Sequence, residues 1–157
     1  MAKFLSKSKY VDGWQCLKQV YLSVNHPELV TPVDDALQAV FDQGTRLGEL
    51  ARTRWPDGVL VDIHPFRHDE AVQRTKELID DEDIPSMFEA GFTELGVRIR
   101  ADVLVRTGDG LAWDLIEVKS STSEKPVHDA DIAVQTAVIE AAGIPLRRKM
   151  LLAVDTG

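Results

Sequence analysis

Cysteine is nearly absent from this chain of 157 residues: Cys16 stands alone, which excludes a disulfide framework and any zinc site built from several thiolates. Long apolar runs are absent too. Nothing approaches the roughly 20 residues a membrane helix needs, and no apolar stretch follows the lysines of Met1 to Tyr10 to make a signal peptide. A reducing cytoplasm is the expected compartment. No repeat, linker-like stretch or proline cluster divides the chain, so its length reads as one domain able to bury a sizeable core. A hydrophobic share of 44% and a charged share of 28% exclude disorder. Positive charge is scarce. Against 26 Asp and Glu stand 18 Lys and Arg, and the net charge of −8 would repel a polyanion. The deficit is local, however. Residues 1–25 hold four Lys and one acid, residues 26–97 six basic and sixteen acidic side chains, and residues 98–157 eight and nine. Phosphate contact through the two ends stays open, including the run Arg147 to Lys149.

Ser6 or Ser8 can cap a first helix, with Tyr10, Val11, Trp14, Leu17, Tyr21 and Leu22 at helical spacing and His26-Pro27 closing it. Cys16 falls on that helix as a small buried hydrophobe. Asp34 or Asp35 can cap a second helix reaching about Arg54, with Leu37, Val40, Phe41, Leu47, Leu50 and Ala51 on one face. Gly44 and Gly48 sit on it at i, i+4, where they suggest either close packing or simple tolerance. Pro56-Asp57-Gly58 turns into a short buried strand over 59–63. A third helix spans 69–80 and ends at the acidic run Asp80 to Asp83, read as a solvated loop. The period then becomes two. Strands are expected over 87–93, 97–106 and 111–119, the last two joined across Gly108-Asp109-Gly110. A helix from Asp129 or Asp131 to Ala142, stopped by Gly143 and Pro145, leads to a last strand over 148–154. The order predicts an α/β sandwich with a mixed central sheet flanked by helices and a crossover helix before the final strand.

Chemistry concentrates in Arg100-Ala101-Asp102-Val103-Leu104 and Leu115-Ile116-Glu117-Val118-Lys119. Fourteen residues separate Asp102 from Glu117, which in a hairpin sets the two beside or diagonal to one another. Glu117 and Lys119, two apart, share a face. Two carboxylates and an ammonium would then converge. Carboxylate oxygens suit a hard divalent cation such as Mg²⁺, and a lysine beside it can hold the attacking water.

This pattern resembles the PD-(D/E)XK nuclease superfamily, in which an Asp and a Glu-x-Lys on the next strand form the metal site. Three further stretches resemble its RecB-like and Cas4-like branch. Gln135, in Asp131-Ile132-Ala133-Val134-Gln135, matches a Gln that faces the site from the helix, with Ile139 where an aromatic is often found. Cys16 to Leu22 looks like the branch's opening Cys-Pro-Arg-x-x-Tyr-Leu, and Gly44 to Leu50 like its first helical motif. More narrowly, the chain resembles the N-terminal nuclease part of larger bacterial RecB-like proteins, the DUF2779 group, so that its end at Val154 to Gly157 reads as a continuation point. The resemblance implies a restriction-endonuclease-like three-layer sandwich and hydrolysis of DNA to leave 5′-phosphates. It implies Mg²⁺ or Mn²⁺ on Asp102 and Glu117, with Lys119 orienting the water and Gln135 positioning Lys119 or that water. It also implies no membrane partner and a place beside a helicase or repair complex.

The departures are specific. The branch carries a metal-binding His where this chain has Gly48, and Glu49 is the carboxylate that could replace it. Cas4-like relatives bind an iron–sulfur cluster through four cysteines, which Cys16 alone cannot do, so no cluster is expected. Glu89 matches a strand Glu near the site in RecB-like proteins, yet it can equally pair with Arg98 or Arg100. The alternative to a nuclease is a nuclease-like module that binds nucleic acid or a protein partner without cutting. His64, His68 and His128 read as structural, Asp109 as turn chemistry and Asp114 as part of an outward strand face, while the hydroxyls of the loop Ser120 to Ser123 either contact phosphate or belong to a plain flexible loop.

Overall fold

A computed structural model describes residues 4–123 and 125–154. The chain end at 155–157, where the sequence suggests a continuation, lies outside the described residues. The element order is β1 (Leu5–Ser6), α1 (Lys7–Gln15), α2 (Leu17–Asn25), α3 (Asp35–Arg52), β2 (Val59–Leu60), α4 (His68–Asp80), β3 (Ser86–Glu94), β4 (Val97–Arg106), β5 (Trp113–Lys119), α5 (Pro126–Ala141) and β6 (Leu146–Ala153). The sheet runs β2-β3-β4-β5-β6, with β1 added to β4. It is mixed: β3, β4 and β5 are antiparallel neighbours, while β1, β2 and β6 pair in parallel with β4, β3 and β5. β6 reaches its parallel place beside β5 by the crossover through α5.

The main core lies between the sheet and α1, α4 and α5, through Val11, Ala71, Leu78, Val138 and Ile139 against Met87, Ile99, Leu104 and Leu115. A second cluster of Phe88, Val103 and Ile116 packs with Trp55, Val118 and Met150. The arrangement is α/β with helices flanking a mixed sheet and is compatible with three layers. Among the described residues no helix is long and apolar enough to cross a membrane.

Local chemistry explains the boundaries. Asp34 caps α3 by accepting from the Leu37 N–H at 2.8 Å, and Ser6 caps α1 through the Lys9 N–H at 3.4 Å. α4 stops at the acidic run, and Arg106 supplies the positive charge its C-terminus lacks. Its guanidinium donates to the carbonyls of Ile79 and Asp81 at 3.0 and 2.8 Å while lying 4.3 Å over the Trp113 ring.

The structure departs from the sequence expectations in four places. The first helix is two: the backbone extends at Cys16 (φ −153°, ψ 103°), and Cys16 is exposed, not buried. The break lets α2 pack on α1, where a Cβ on Gly13 would meet Val20 Cγ1 at 3.1 Å. Gly44 and Gly48, by contrast, face open space, so the close-packing alternative falls. The apolar stripe of α3 is also largely uncovered. Leu37, Val40, Phe41 and Leu50 are exposed and only Ala51 is buried, because α3 meets the sheet chiefly at β5. Finally, Asp114 is buried rather than outward-facing, and β1 escapes the sequence pattern because two residues are too short to show a period.

The alternation of β3 and β4 slips at one level. Along β4, Val97, Ile99 and Ala101 enter the main core, then Leu104 does, while Val103 joins the second cluster. β3 does the same, with Met87 in the main core, Phe88 in the second, then Ala90 and Phe92 in the main. The residues at the slip are Glu89 and Asp102, which face each other between the pairs Phe88–Val103 and Ala90–Ala101. Glu89 is left-handed, at φ 57°, a strained state for a residue inside a strand. Such irregularities re-aim side chains.

Candidate active site

The β4–β5 register places the chemistry. Val103 pairs with Ile116, and one step beyond stand Asp102 and Glu117, so that Glu89, Asp102 and Glu117 form a row across three strands. Pairing of β4 with β5 ends there. Asp102 Oδ2 instead accepts the Val118 N–H at 2.8 Å, which holds the carboxylate against the strand. A cavity of about 270 Å³ opens over the row, lined by Glu89, Asp102 and Glu117 and by Gly44, Gly48 and Arg52 of α3. At the two glycines that wall carries no side chain.

Glu117 is 2% exposed and heavily engaged. Its Oε1 accepts from Lys119 Nζ at 2.7 Å and from Lys7 Nζ at 2.9 Å, and its Oε2 accepts from Gln135 Nε2 at 2.7 Å. Asp131 closes the cluster from α5, bound to Lys119 and 3.1 Å from Lys7 Nζ. Gln135 is fully buried, and its Oε1 has no partner among the described residues, an open acceptor beside Glu117. Two carboxylates thus meet two ammonium groups, with Asp102 nearby. Burial works to lower both lysines, but the surrounding carboxylates outweigh it and hold Lys7 and Lys119 above their ordinary values. Burial works to raise Asp131, and Lys7 and Lys119 reverse it, leaving it below the usual carboxylate range. Asp102 goes the other way. Burial first, and the Glu117 charge second, push it up to about 7.

Glu89 reaches the cavity by its strain. Its carboxylate lies 3.5 Å from Arg52 Nη2, and its carbonyl accepts from Arg100 Nη1 at 3.2 Å. Arg100 also donates to the Ile63 carbonyl at 3.1 Å and is steadied by His68, whose Nδ1 lies 3.4 Å from Arg100 Nε and whose Nε2 lies 3.1 Å from the Phe92 carbonyl. Burial holds His68 below its ordinary value, consistent with a neutral ring donating at Nε2 and accepting at Nδ1. Arg100 therefore latches the backbone of Glu89, whereas the sequence pairs the carboxylate with Arg98 or Arg100.

Of the expected site residues, the structure gathers Asp102, Glu117, Lys119 and Gln135, and sets Glu89 at the cavity edge. Glu49 is not brought in. It is exposed, one residue round α3 from Gly48, which faces the cavity. Gln135 holds Glu117 rather than Lys119. Two members are new, Lys7 and Asp131. Asp131 was signalled by its i, i+4 relation to Gln135, which places both on one helix face; Lys7, 110 residues from Glu117, had no local signal beyond the basic excess of the first 25 residues. The other flagged groups are structural. Asp109 shapes the β4–β5 loop through the Leu111 N–H at 3.1 Å, His64 accepts from the Phe66 N–H at 3.3 Å, and His128 caps α5 through the Lys125 N–H at 3.3 Å. The basic run near the end is partly spent on ion pairs, Arg147 with Asp114 and Lys149 with Glu140.

Among the described residues no group of three or more His, Cys, Asp or Glu side chains is gathered as a ready metal cage. Mg²⁺ needs less, since one or two carboxylates with waters suffice. Asp102, raised by burial and by the Glu117 charge, has no cation of its own among the described residues, and an added cation would relieve that shortage. The donor set fits a hard divalent ion. No protein-family model matches the chain, and no curated protein matches it.

Proposed function

We propose that this domain is a metal-dependent nuclease that hydrolyses DNA phosphodiester bonds, on a restriction-endonuclease-like fold of the RecB-like and Cas4-like kind. The observation that carries the reading is the row Glu89–Asp102–Glu117 at an open cavity, with ammonium groups and Gln135 fixed on Glu117. The crossover helix α5 behind the Asp and Glu-x-Lys hairpin supports the fold assignment.

Asp102 and Glu117 would hold Mg²⁺ or Mn²⁺, with Glu89 at the margin. When bound, the cation supplies positive charge to the phosphate and acidifies a water. Gln135 and the lysines hold Glu117 in place, so its geometry is set before substrate arrives. An ammonium beside the pair orients the attacking water, and the strand motif points to Lys119. Water oxygen bonds to phosphorus, the 3′-oxygen leaves and takes up a proton, and the product strand carries a 5′-phosphate. No iron–sulfur cluster belongs in this reading, since Cys16 is the chain's one cysteine. The domain would act beside a helicase or repair complex.

The test is cleavage of single- and double-stranded DNA in Mg²⁺ or Mn²⁺. Wild type is expected to cut only with metal, and Asp102→Ala to lose at least about a hundredfold, the scale of removing one preorganised electrostatic element. Full activity in that variant contradicts the assignment. A second reading, a module that binds nucleic acid or protein without cutting, is favoured by Gly48 in the place of a metal-binding His and by Lys119 being tied between Glu117 and Asp131.

A further inference from the structure

Two lysines converge on one oxygen of Glu117, and they differ in what else they face. Lys119 Nζ is held by Glu117 Oε1 at 2.7 Å and by Asp131, and its side chain lines neither cavity at the carboxylate row. Lys7 Nζ is 2.9 Å from the same oxygen and 3.1 Å from Asp131. Lys7 also lines a second cavity, of about 390 Å³, together with Glu89, Asp102, Arg98 and Arg100. The two cavities share Glu89 and Asp102, and the second adds Lys7, Arg98 and Arg100 as a cationic wall.

Lys7 is delivered there by backbone structure. β1 pairs Leu5 and Ser6 with Val97 and Arg98, and Ser6 then caps α1, so the first residue of α1 crosses β4 towards Glu117. The electrostatics agree with the geometry. The charges of Lys7 and Asp102 each act on the other. With two N–H groups on Glu117 and Asp131, the Lys7 ammonium keeps a third for another acceptor.

We propose that Lys7, not Lys119, is the ammonium that meets the substrate: it contacts a non-bridging oxygen of a phosphodiester lying over the Asp102 end of the row. Lys119 stays between Glu117 and Asp131 and makes no phosphate contact of its own, and its part in orienting the water is unchanged. The inference rests on the phosphodiester reading of the site and deepens it. It also gives the basic N-terminal segment a task that the chain's net negative charge obscures.

The experiment measures affinity for a fluorescent single-stranded oligonucleotide in Ca²⁺ across a salt series, so that binding is read independently of cleavage. The proteins are wild type, Lys7→Met, Lys7→Arg and Lys119→Met, each checked by thermal melting. Lys7→Met is expected to weaken binding about tenfold and to flatten the slope of log affinity against log salt by about 0.7, the value for one phosphate contact on a single strand. Lys7→Arg and Lys119→Met are expected to keep the wild-type slope. A purely structural Lys7 would lower the melting temperature without moving the slope, and that result overturns the proposal, as does a slope change confined to Lys119→Met. If Lys7→Met does not fold, Lys7→Gln is judged by the same criterion. Wild type that binds but does not cut in Mn²⁺ defeats the nuclease reading and leaves Lys7 decided by the slopes; wild type that does not bind defeats both.

Discussion

The β4–β5 hairpin carries a carboxylate towards each end, Asp114 buried and Asp102 half-buried, and the two are treated in opposite ways. Near the loop, Asp114 receives a two-pronged Arg147 from β6, with Nε at 3.0 Å and Nη2 at 2.5 Å. Those hydrogen bonds hold it below the usual carboxylate range in spite of burial. At the far end Asp102 has a single backbone N–H and the distant influence of Lys7, while Glu117 presses its own charge on it, and it rises to about 7. Asp114 has a cation of its own; Asp102 does not. A carboxylate that serves only the fold is matched charge for charge, and one left unmatched at an open cavity is where a mobile cation adds most.

That contrast can be broken from either side. Arg147→Ala should leave Asp114 in the sheet without its cation and lower the unfolding free energy. Chemical denaturation checks this, and cleavage by the folded variant should be unchanged. Asp102→Asn should act in the reverse direction. A carboxyl raised from 3.8 to about 7 contributes stability that is fully present below about pH 4 and is lost as pH rises through 7. Without metal, wild type should therefore weaken across that window, and Asp102→Asn should be more stable than wild type at pH 8 by about 1–2 kcal/mol, a figure reduced for the partial solvent access of the group. Melting curves from pH 4 to 8 read the difference, and an Asn variant that is less stable at pH 8 would contradict it.

Much of this was legible in the chain because strands and hairpins announce themselves locally. The period-two runs gave β3, β4 and β5, and the fourteen-residue spacing put Asp102 level with Glu117. What escaped depends on contacts between distant segments. Lys7 enters the site only because a two-residue strand docks on β4, and no local pattern encodes that pairing. The left-handed Glu89 and the slipped alternation beside Asp102 are likewise a joint property of two strands, latched by Arg100 and His68. Glu49 shows the reverse failure. Its neighbour Gly48 faces the cavity, but a step of one residue turns a helical side chain by about 100°, so Glu49 faces solvent. The exposed stripe of α3 shows that amphipathic spacing proves a helix without saying what covers its apolar face.

The central claim is that Asp102 and Glu117 form a carboxylate pair awaiting a divalent cation, and calorimetric titration with Mn²⁺ at pH 8 tests it most directly. Wild type should bind Mn²⁺, Glu117→Gln and Asp102→Asn should each lose that binding, and Arg147→Ala should retain it. Mn²⁺ binding that survives Glu117→Gln, or none in wild type, would contradict the account.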